Sequence, residues 1–429
     1  MSLLDKNKFY VFIYYNIILF NKIIPTVYII MNKKILVYIP TALNSPETEI
    51  LLSVTQDNIN KKNHVELLLC NGGKKFFCSK NIYSLKSICV ACKKQTAEAI
   101  KVLKGKYIRS YIPTNYKIRK NSNKIFNIKK IVNYKYKGCD NGLSAYSSYV
   151  DVTKDRDLDG YFSNYCIKNL INTSNDLTDY FLQVLKRKKY TEIFMFNGRM
   201  NNYRPLLRVA NKLGRKINNL EFNGNRNQVF NFENSLPIDQ KYIAKRINDF
   251  WKNQKNKKLY LINLFVNKWI RHQALFHRKK FQINQNSNEL PKYWDNKKRN
   301  IVYYASSPDE TLTGGKTYFF KVFKDQVESI EFIYNSIKKI DKFSDISFWV
   351  RMHPRMKGHF WPHLKKIYEL KKKYPGLNLI YPESSCSSYE MLKKSSLVIS
   401  PISSLSIEAL HFKKPSINFQ KHPFVLLGG

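Results

Sequence analysis

From Met31 onward, short apolar runs alternate with amphipathic stretches. Lys34–Ile39 and Val65–Cys70 read as strands, and Val90–Leu103 as a helix. Apolar spacing makes Asp179–Lys188 helical. Glu192–Phe196 is then a strand ending in Asn197-Gly198-Arg199, and Tyr203–Leu213 a helix with Leu206, Leu207, Ala210 and Leu213 on one face. Between about Arg271 and Asn300 the period is lost in polar, basic text, which reads as a connection between domains.

The second half restarts cleanly. Strands are predicted at Asn300–Ala305, Ile346–Arg351, Asn378–Ile380, Leu397–Ser400 and Ser416–Phe419. Helices are predicted between them at Lys324–Ile340, Leu364–Tyr374, Tyr389–Ser395 and Ser404–Phe412. Strand–helix alternation of this kind predicts an α/β fold with mostly parallel sheets. The expected organisation is an N-terminal extension over 1–30, a first Rossmann-like domain over 31–270, a linker over 271–299 and a second Rossmann-like domain over 300–429.

Phe9–Ile30 is mostly apolar, but Asn16, Asn21, Lys22 and Pro25 interrupt it. A spanning helix needs about 20 clean apolar residues, and a small-residue cleavage site for a signal peptide is lacking. Three readings stay open for this stretch: an upstream mis-start, a membrane-touching extension, or part of the fold.

Composition narrows the classes. An apolar fraction of 43% is too high for a disordered chain, and 15 Gly and 15 Pro are too few for a collagen-like or linker-like one. The 74 Lys+Arg against 31 Asp+Glu give a formal charge of +43, which draws a chain toward nucleic acid, an anionic membrane face or phosphorylated substrates. Abundant Lys, Asn, Ile and Tyr also follow from drift in an AT-rich genome, so the charge by itself selects no partner. With 29 Tyr and 27 Phe it raises a nucleic-acid-binding reading. No RNP, zinc-finger or helix-turn-helix text supports that reading, and the basic residues are spread evenly along the chain.

In open parallel sheets, ligands bind outside the carboxyl ends of the strands. Three polar clusters follow predicted strands of the second half: Ser306-Ser307-Pro308-Asp309-Glu310, Arg351-Met352-His353-Pro354, and Pro401-Ile402-Ser403-Ser404 opening a helix that carries Glu408. Arg351 and His353 alternate, so both point the same way, and a guanidinium with an imidazole suits a phosphate. Ser403 and Ser404 serve either as helix caps or as an anion site. A capping box with Ser404 would need its acid at Ile407, so capping leaves Glu408 unexplained. Asp309 and Glu310 suit a metal, a sugar or a cap.

These residues carry a resemblance. Arg351-x-His353-Pro354, then Ser388 and Glu390 ahead of Leu392, then a strand, Ser403-Ser404, Glu408-Ala409-Leu410 and Lys414-Pro415, resemble the capsule polysaccharide biosynthesis group of GT-B glycosyltransferases. The layout is similar to that of bacterial Kdo- and sialyl-transferases. Ser306–Glu310, Gln326 and the text around Asn197 fit the same pattern. The resemblance runs from about Met31 to the end, dense after Ser306 and thin before Glu192.

The resemblance implies two Rossmann-like domains facing across a cleft, and transfer of a sugar from a nucleotide-activated donor with no redox or PLP-type cofactor. The acceptor would be a surface polysaccharide or a lipid-linked oligosaccharide. It implies donor binding by Ser306, Ser307, Arg351, His353, Ser403 and Ser404, with Glu408 near the ribose. Asn197, Gly198 and Arg199 would face the cleft from the N-terminal domain. Asp309, Glu310 and Glu221 are the candidate catalytic bases. GT-B chains usually continue with helices past the last strand, whereas this chain stops at His422-Pro423-Phe424-Val425-Leu426-Leu427-Gly428-Gly429, so a truncated C-terminus is expected. A polyol-phosphate transferase on the same scaffold and an inactive truncated copy are the alternatives. The expected location is cytoplasmic, with peripheral contact at the anionic inner face of the membrane.

Seven cysteines, an odd count, argue for a reducing compartment. Four follow the spacing Cys70-x7-Cys78-x10-Cys89-x2-Cys92. Four thiolates can hold a structural zinc. A redox pair and unpaired thiols are the other readings.

Overall fold

The computed structural model describes residues 32–43, 45–72, 77–113, 127–156, 158, 161–222, 229–253, 260, 285, 288–307, 322–340, 343–403 and 405–420. The expected extension over 1–30 and most of the expected linker over 271–299 lie outside these residues.

The chain runs β1 (Lys34–Ile39), α1 (Ser45–Asn60), β2 (His64–Cys70), α2 (Lys86–Ala99), β3 (Ile108–Ile112), α3 (Ile128–Asn133), α4 (Asn141–Thr153) and α5 (Tyr161–Arg187). Next come β4 (Glu192–Phe196), α6 (Arg204–Lys212), β5 (Ile217–Phe222), β6 (Val229–Glu233) and α7 (Gln240–Lys252). The last part is β7 (Arg299–Tyr304), α8 (Gln326–Ile337), β8 (Ile346–Arg351), α9 (Pro362–Lys373), β9 (Asn378–Ile380), α10 (Ser388–Lys394), β10 (Leu397–Ser400), α11 (Leu405–His411) and β11 (Ser416–Asn418).

The protein is α/β, with two compact units. The first takes the described residues within Met1–Lys120, Asn175–Gly198 and Asn202–Pro237; the second takes those within Asn121–Ser174, Arg199–Asn201 and Ile238–Gly429. Helices α3 and α4 therefore group with the second unit.

The first unit holds a six-stranded sheet in the order β3-β2-β1-β4-β5-β6, parallel except for β6, which pairs antiparallel with β5. Its central strand β1 is apolar and buried from Ile35 to Ile39, as a strand covered on both faces must be. Ile35, Val37 and Ile39 pack with Leu51 and Leu52 of α1 and with Val65, Leu67 and Leu69 of β2. Each such side chain contributes about 1.5–3 kcal/mol on full burial.

The second unit holds a five-stranded, wholly parallel sheet in the order β11-β10-β7-β8-β9. Tyr303 and Val350 face Ile330 and Tyr334 of α8, while Val302 and Trp349 face Met391 and Leu392 of α10. Trp349 stacks on Trp294 at 5.2 Å, and its Nε1 donates to Asn300 Oδ1 at 2.9 Å. Asp325 caps α8 by accepting from Val327 N and Glu328 N. Ser387 caps α10 by accepting from Glu390 N, with an acid in the third helical position as in a capping box.

Both sheets follow one plan. The first three strands step outward to one side, and the chain then returns so that the fourth and fifth lie on the other. The order is 3-2-1-4-5 in each, the doubly wound Rossmann-like arrangement. Its reversal falls between β1 and β4 in one sheet, and between β7 and β10 in the other.

The helix at α2 begins at Lys86, four residues earlier than the apolar spacing predicts, and ends at Ala99 before a single tight turn at Ile100–Val102. Asn81 sets this start: its Oδ1 accepts from Leu85 N at 2.8 Å and its Nδ2 donates to Leu85 O at 2.8 Å.

Candidate functional site

The three polar clusters of the second half follow β7, β8 and β10, which are neighbours in the sheet. Their loops therefore share one stretch of its carboxyl edge, at the strand-order reversal. Ser306 Oγ donates to Ile402 O at 2.8 Å, tying the loop after β7 to the loop after β10. Gln326, the first residue of α8, holds the same loop by both amide groups: Ser306 N donates to its Oε1 at 3.2 Å, and its Nε2 donates to Ser306 O at 2.9 Å. Ser306 and Ser307 are both buried.

Arg351 is 2% exposed. Its Nη1 donates to Tyr381 O at 2.6 Å, its Nη2 to Ser384 O at 3.3 Å, and its Nε to Ser388 Oγ at 3.4 Å. Burial lowers its pKa from the ordinary arginine value. The sequence reading gave Arg351 to a phosphate, whereas here the guanidinium braces the segment between β9 and α10. Its own carbonyl accepts from Ala305 N at 3.0 Å, linking that segment to the loop after β7.

His353 sits two residues beyond β8 and is partly exposed. Its Nδ1 accepts from Arg355 N at 3.0 Å, capping the tight turn Pro354–Met356. With Nδ1 as acceptor, a neutral ring carries its proton on Nε2, which is then a donor.

Helix α11 starts at Leu405, and Ser403 Oγ accepts from Leu405 N at 3.2 Å. Ser403 thus performs the capping half of its two readings. Ser404 lies outside the described residues, as do Asp309 and Glu310. Glu408 is fully buried in α11. It stands near Tyr304, whose phenol is raised by burial, with Arg351 opposing and Glu408 adding to the shift. Tyr304 stays a neutral donor to Ser388 O at 2.8 Å.

In the first unit, β4 ends in two successive left-handed residues, Asn197 (φ 61°) and Gly198 (φ 73°). Asn197 Nδ2 donates to Glu221 Oε2 at 2.5 Å, so the fold joins these two candidates. Asn219 Nδ2 holds the turn through Asn197 O at 3.0 Å and Ser235 O at 2.9 Å. A Cβ on Gly198 would meet that Nδ2 at 2.8 Å. Arg199 is partly exposed and groups with the second unit.

One carboxylate of this edge escaped the sequence reading. Glu47 lies in the first turn of α1, which follows β1 on the other side of the reversal, and Tyr203 Oη donates to its Oε2 at 3.1 Å. The signal was available as an acid in the first turn of a helix entered directly from a central strand.

Cys70, Cys78, Cys89 and Cys92 are all free thiols. Burial pushes Cys70 up to about 11 and Cys78 up to about 12. Among the described residues, no three Cys, His, Asp or Glu side chains are already gathered at the spacing of a bound metal ion. Among the same residues, no helix is long and apolar enough to cross a membrane.

No family model matches the chain, and no curated protein matches it. Among solved structures it is similar to the UDP-GlcNAc 2-epimerase from Neisseria meningitidis bound to UDP-GlcNAc, at 12% identity and a TM-score of 0.28, over 90% of this chain and 82% of that one. It is similar to S. aureus MnaA in its co-structure with UDP, at 11% identity and a TM-score of 0.26, over 91% and 80% of the two chains. It is also similar to the glycotransferase of kitacinnamycin, at 6% identity and a TM-score of 0.23, over 92% and 85%. Likenesses of this size carry no argument about activity. The class of the protein rests on its own strand orders: two Rossmann-like α/β units.

Proposed function

We propose that the chain is a GT-B glycosyltransferase that moves a sugar from a nucleotide-activated donor onto a surface polysaccharide of capsule or O-antigen type. The observation that carries this reading is the meeting of three motif-bearing loops, after β7, β8 and β10, at the reversal of one parallel sheet. Such a reversal is where open α/β sheets take ligands.

In this reading the donor phosphates lie against those loops. His353 Nε2–H donates to a phosphate oxygen while Arg355 N holds the ring by Nδ1. Ser306, Ser307, Ser403 and Ser404 surround the same phosphates. Arg351 acts one step back, by fixing the segment from Tyr381 to Ser388. The ribose contact assigned to Glu408 is the part of the reading that its burial strains. The acceptor lies with the first unit, and Glu221 and Glu47 are the described carboxylates suited to take its proton; Asp309 and Glu310 are the others. The excess of basic residues serves contact with anionic headgroups and a lipid-linked acceptor.

The test is a thermal titration of the chain with CMP, UDP and GDP. A nucleotide at 100-fold its Kd stabilises the folded state by about 2.7 kcal/mol. One nucleotide should raise Tm, and His353→Ala should abolish the shift. Glu408→Gln, which keeps the buried shape, decides the ribose contact: an unchanged shift removes Glu408 from the site. A folded chain that no nucleotide stabilises overturns the donor-site reading.

A further inference from the structure

We propose that the last two turns of helix α7 dock the second unit onto an anionic lipid surface, with Ile247, Phe250 and Trp251 entering the boundary between headgroups and acyl chains. The inference gives a place to the headgroup contact of the proposed function. It rests on that reading for its purpose alone, since the argument comes from the helix itself.

Helix α7 is amphipathic in a single register. Ile243, Ala244, Ile247, Phe250 and Trp251 recur at spacings of three and four residues, so they form one stripe along the helix. The stripe has two fates. In the first half Gln240 and Ala244 are buried, and Ile243 is half-buried. From Lys245 to Asn253 every residue is exposed. Ile247 is 37% exposed, Phe250 53% and Trp251 37%. These turns are nonetheless hydrogen-bonded helix to their end. Asp239 caps the start by accepting from Tyr242 N at 3.1 Å, and Asn253 N donates to Phe250 O at 3.2 Å. A helix that serves only its own core buries its apolar stripe throughout. This one buries the first turns of the stripe and carries the rest into solvent. Single exposed apolar residues are ordinary on a protein surface, whereas a contiguous Ile-Phe-Trp cluster rimmed by polar groups marks a contact site.

Charge selects the occupant. Arg246 borders the stripe on one side, with its guanidinium carbon 5.8 Å from the centre of the Tyr242 ring. Lys241, Lys245 and Lys252 border it on the other. Asp249, the one acid within α7, lies on the side of the helix away from the stripe. The stems of such cations lie along apolar surface while their heads reach outward. An apolar stripe between two cationic margins matches an anionic bilayer, whose phosphates meet the cations while its acyl boundary takes the stripe. Tryptophan suits that depth, having an apolar body and a polar N–H. A second copy of the chain packed stripe to stripe would bring like charges together. A nucleic acid would pair with the cations and leave Ile247 without a partner. At 13 residues the helix is about 20 Å long, short of the roughly 30 Å of a hydrocarbon core. It therefore lies in the plane of the surface.

The experiment uses the full chain without nucleotide. It is floated with vesicles of phosphatidylcholine, and with vesicles of phosphatidylcholine and phosphatidylglycerol. Expected is binding to the anionic vesicles that weakens in high salt, and little binding to the neutral ones. Phe250→Ser combined with Trp251→Ser should abolish binding, with the circular dichroism spectrum and urea midpoint unchanged, because both side chains are exposed. Lys245→Gln, Arg246→Gln and Lys252→Gln should each weaken partition by about fivefold, the contribution of one cation at such a surface. Trp251→Phe should keep the binding and lose the part of the tryptophan quenching that brominated acyl chains produce, a change that a merely structural role for this ring would not give. No flotation on anionic vesicles overturns the proposal; the stripe then serves a second copy, a protein partner or the chain beyond Asn253. Flotation that survives loss of Phe250 and Trp251 overturns it too, because another surface then meets the lipid. So does binding to oligonucleotides in place of vesicles. The nucleotide titration is run without vesicles, so the donor-site reading and this one fail separately.

Discussion

Ser306 Oγ and Ile402 O are 2.8 Å apart, although 96 positions separate them in the chain. This one hydrogen bond crosses the point where the order of the second sheet reverses. It makes the loop after β7 and the loop after β10 a single surface, and Gln326 holds that surface in place from α8.

Ser306→Ala should therefore loosen the edge without unfolding the sheet. Loss of a buried hydrogen bond that leaves a carbonyl without its donor costs about 1–3 kcal/mol. Urea denaturation should show a destabilisation of that order, and the nucleotide titration should show weaker binding at unchanged melting cooperativity.

Arg351→Ala and Arg351→Lys should behave alike. Removal of the guanidinium takes from the carbonyls of Tyr381 and Ser384 their charged donor, and a lysine ammonium cannot reproduce its fork. Both variants should lose about 2–3 kcal/mol of stability. If Arg351 instead served a phosphate directly, Arg351→Ala would keep its urea midpoint and lose only nucleotide binding.

Gly198→Ala should be costly for two separate reasons. The left-handed conformation at φ 73° disfavours any Cβ by about 1–2 kcal/mol. The added carbon would also stand 2.8 Å from Asn219 Nδ2, the group that holds Asn197 O and Ser235 O. Asn197→Gly relaxes the backbone but loses the bond to Glu221, so its Tm should fall less than that of Gly198→Ala.

Stability should fall in acid, in part through Glu66. Burial raises the pKa of this carboxyl, but hydrogen bonds from Ser110, Lys188 and Tyr190 outweigh it, and the net shift is downward from 4.5. A carboxylate with a depressed folded pKa stabilises the fold above its unfolded pKa, and that contribution is lost as pH drops through the folded value. Glu192, held down in the same net sense by Lys33, Lys216 and Asn218 against the effect of burial, adds to this trend. Urea midpoints measured from neutral pH down through the carboxylate range should decline, and Glu66→Gln should be less stable at neutral pH with a shallower decline.

Much of this fold could be read along the chain, because a strand buried in a parallel sheet is written as an apolar run. The ranges of β1, β4, β8, β9 and β10 match the predicted ones to the residue, β2 and β11 differ by one residue at one end, and β7 is shifted by one residue at both ends. The strands that escaped have a different character. β5 carries the buried Asn218 and Asn219, whose side chains bond to Glu192 and Asn231 and to the turn after β4. Polar residues buried against partners elsewhere in the chain look like surface text until those partners are known. Helix α5 shows the same effect: the predicted Asp179–Lys188 is only the end of a 27-residue helix, because Asn172, Thr173, Ser174, Asn175 and Thr178 are buried along its earlier turns.

The sequence by itself determined the α/β class, most strand positions and the placing of polar clusters just after strands, since periodicity and turn chemistry are local properties. Tertiary structure alone decided which strands are neighbours, and so which clusters meet. It turned Arg351 from a candidate anion ligand into a buried brace, buried Glu408, joined Asn197 to Glu221 and brought Glu47 to the edge beside β1. Those outcomes depend on pairings between residues far apart in the chain, and no local pattern encodes them.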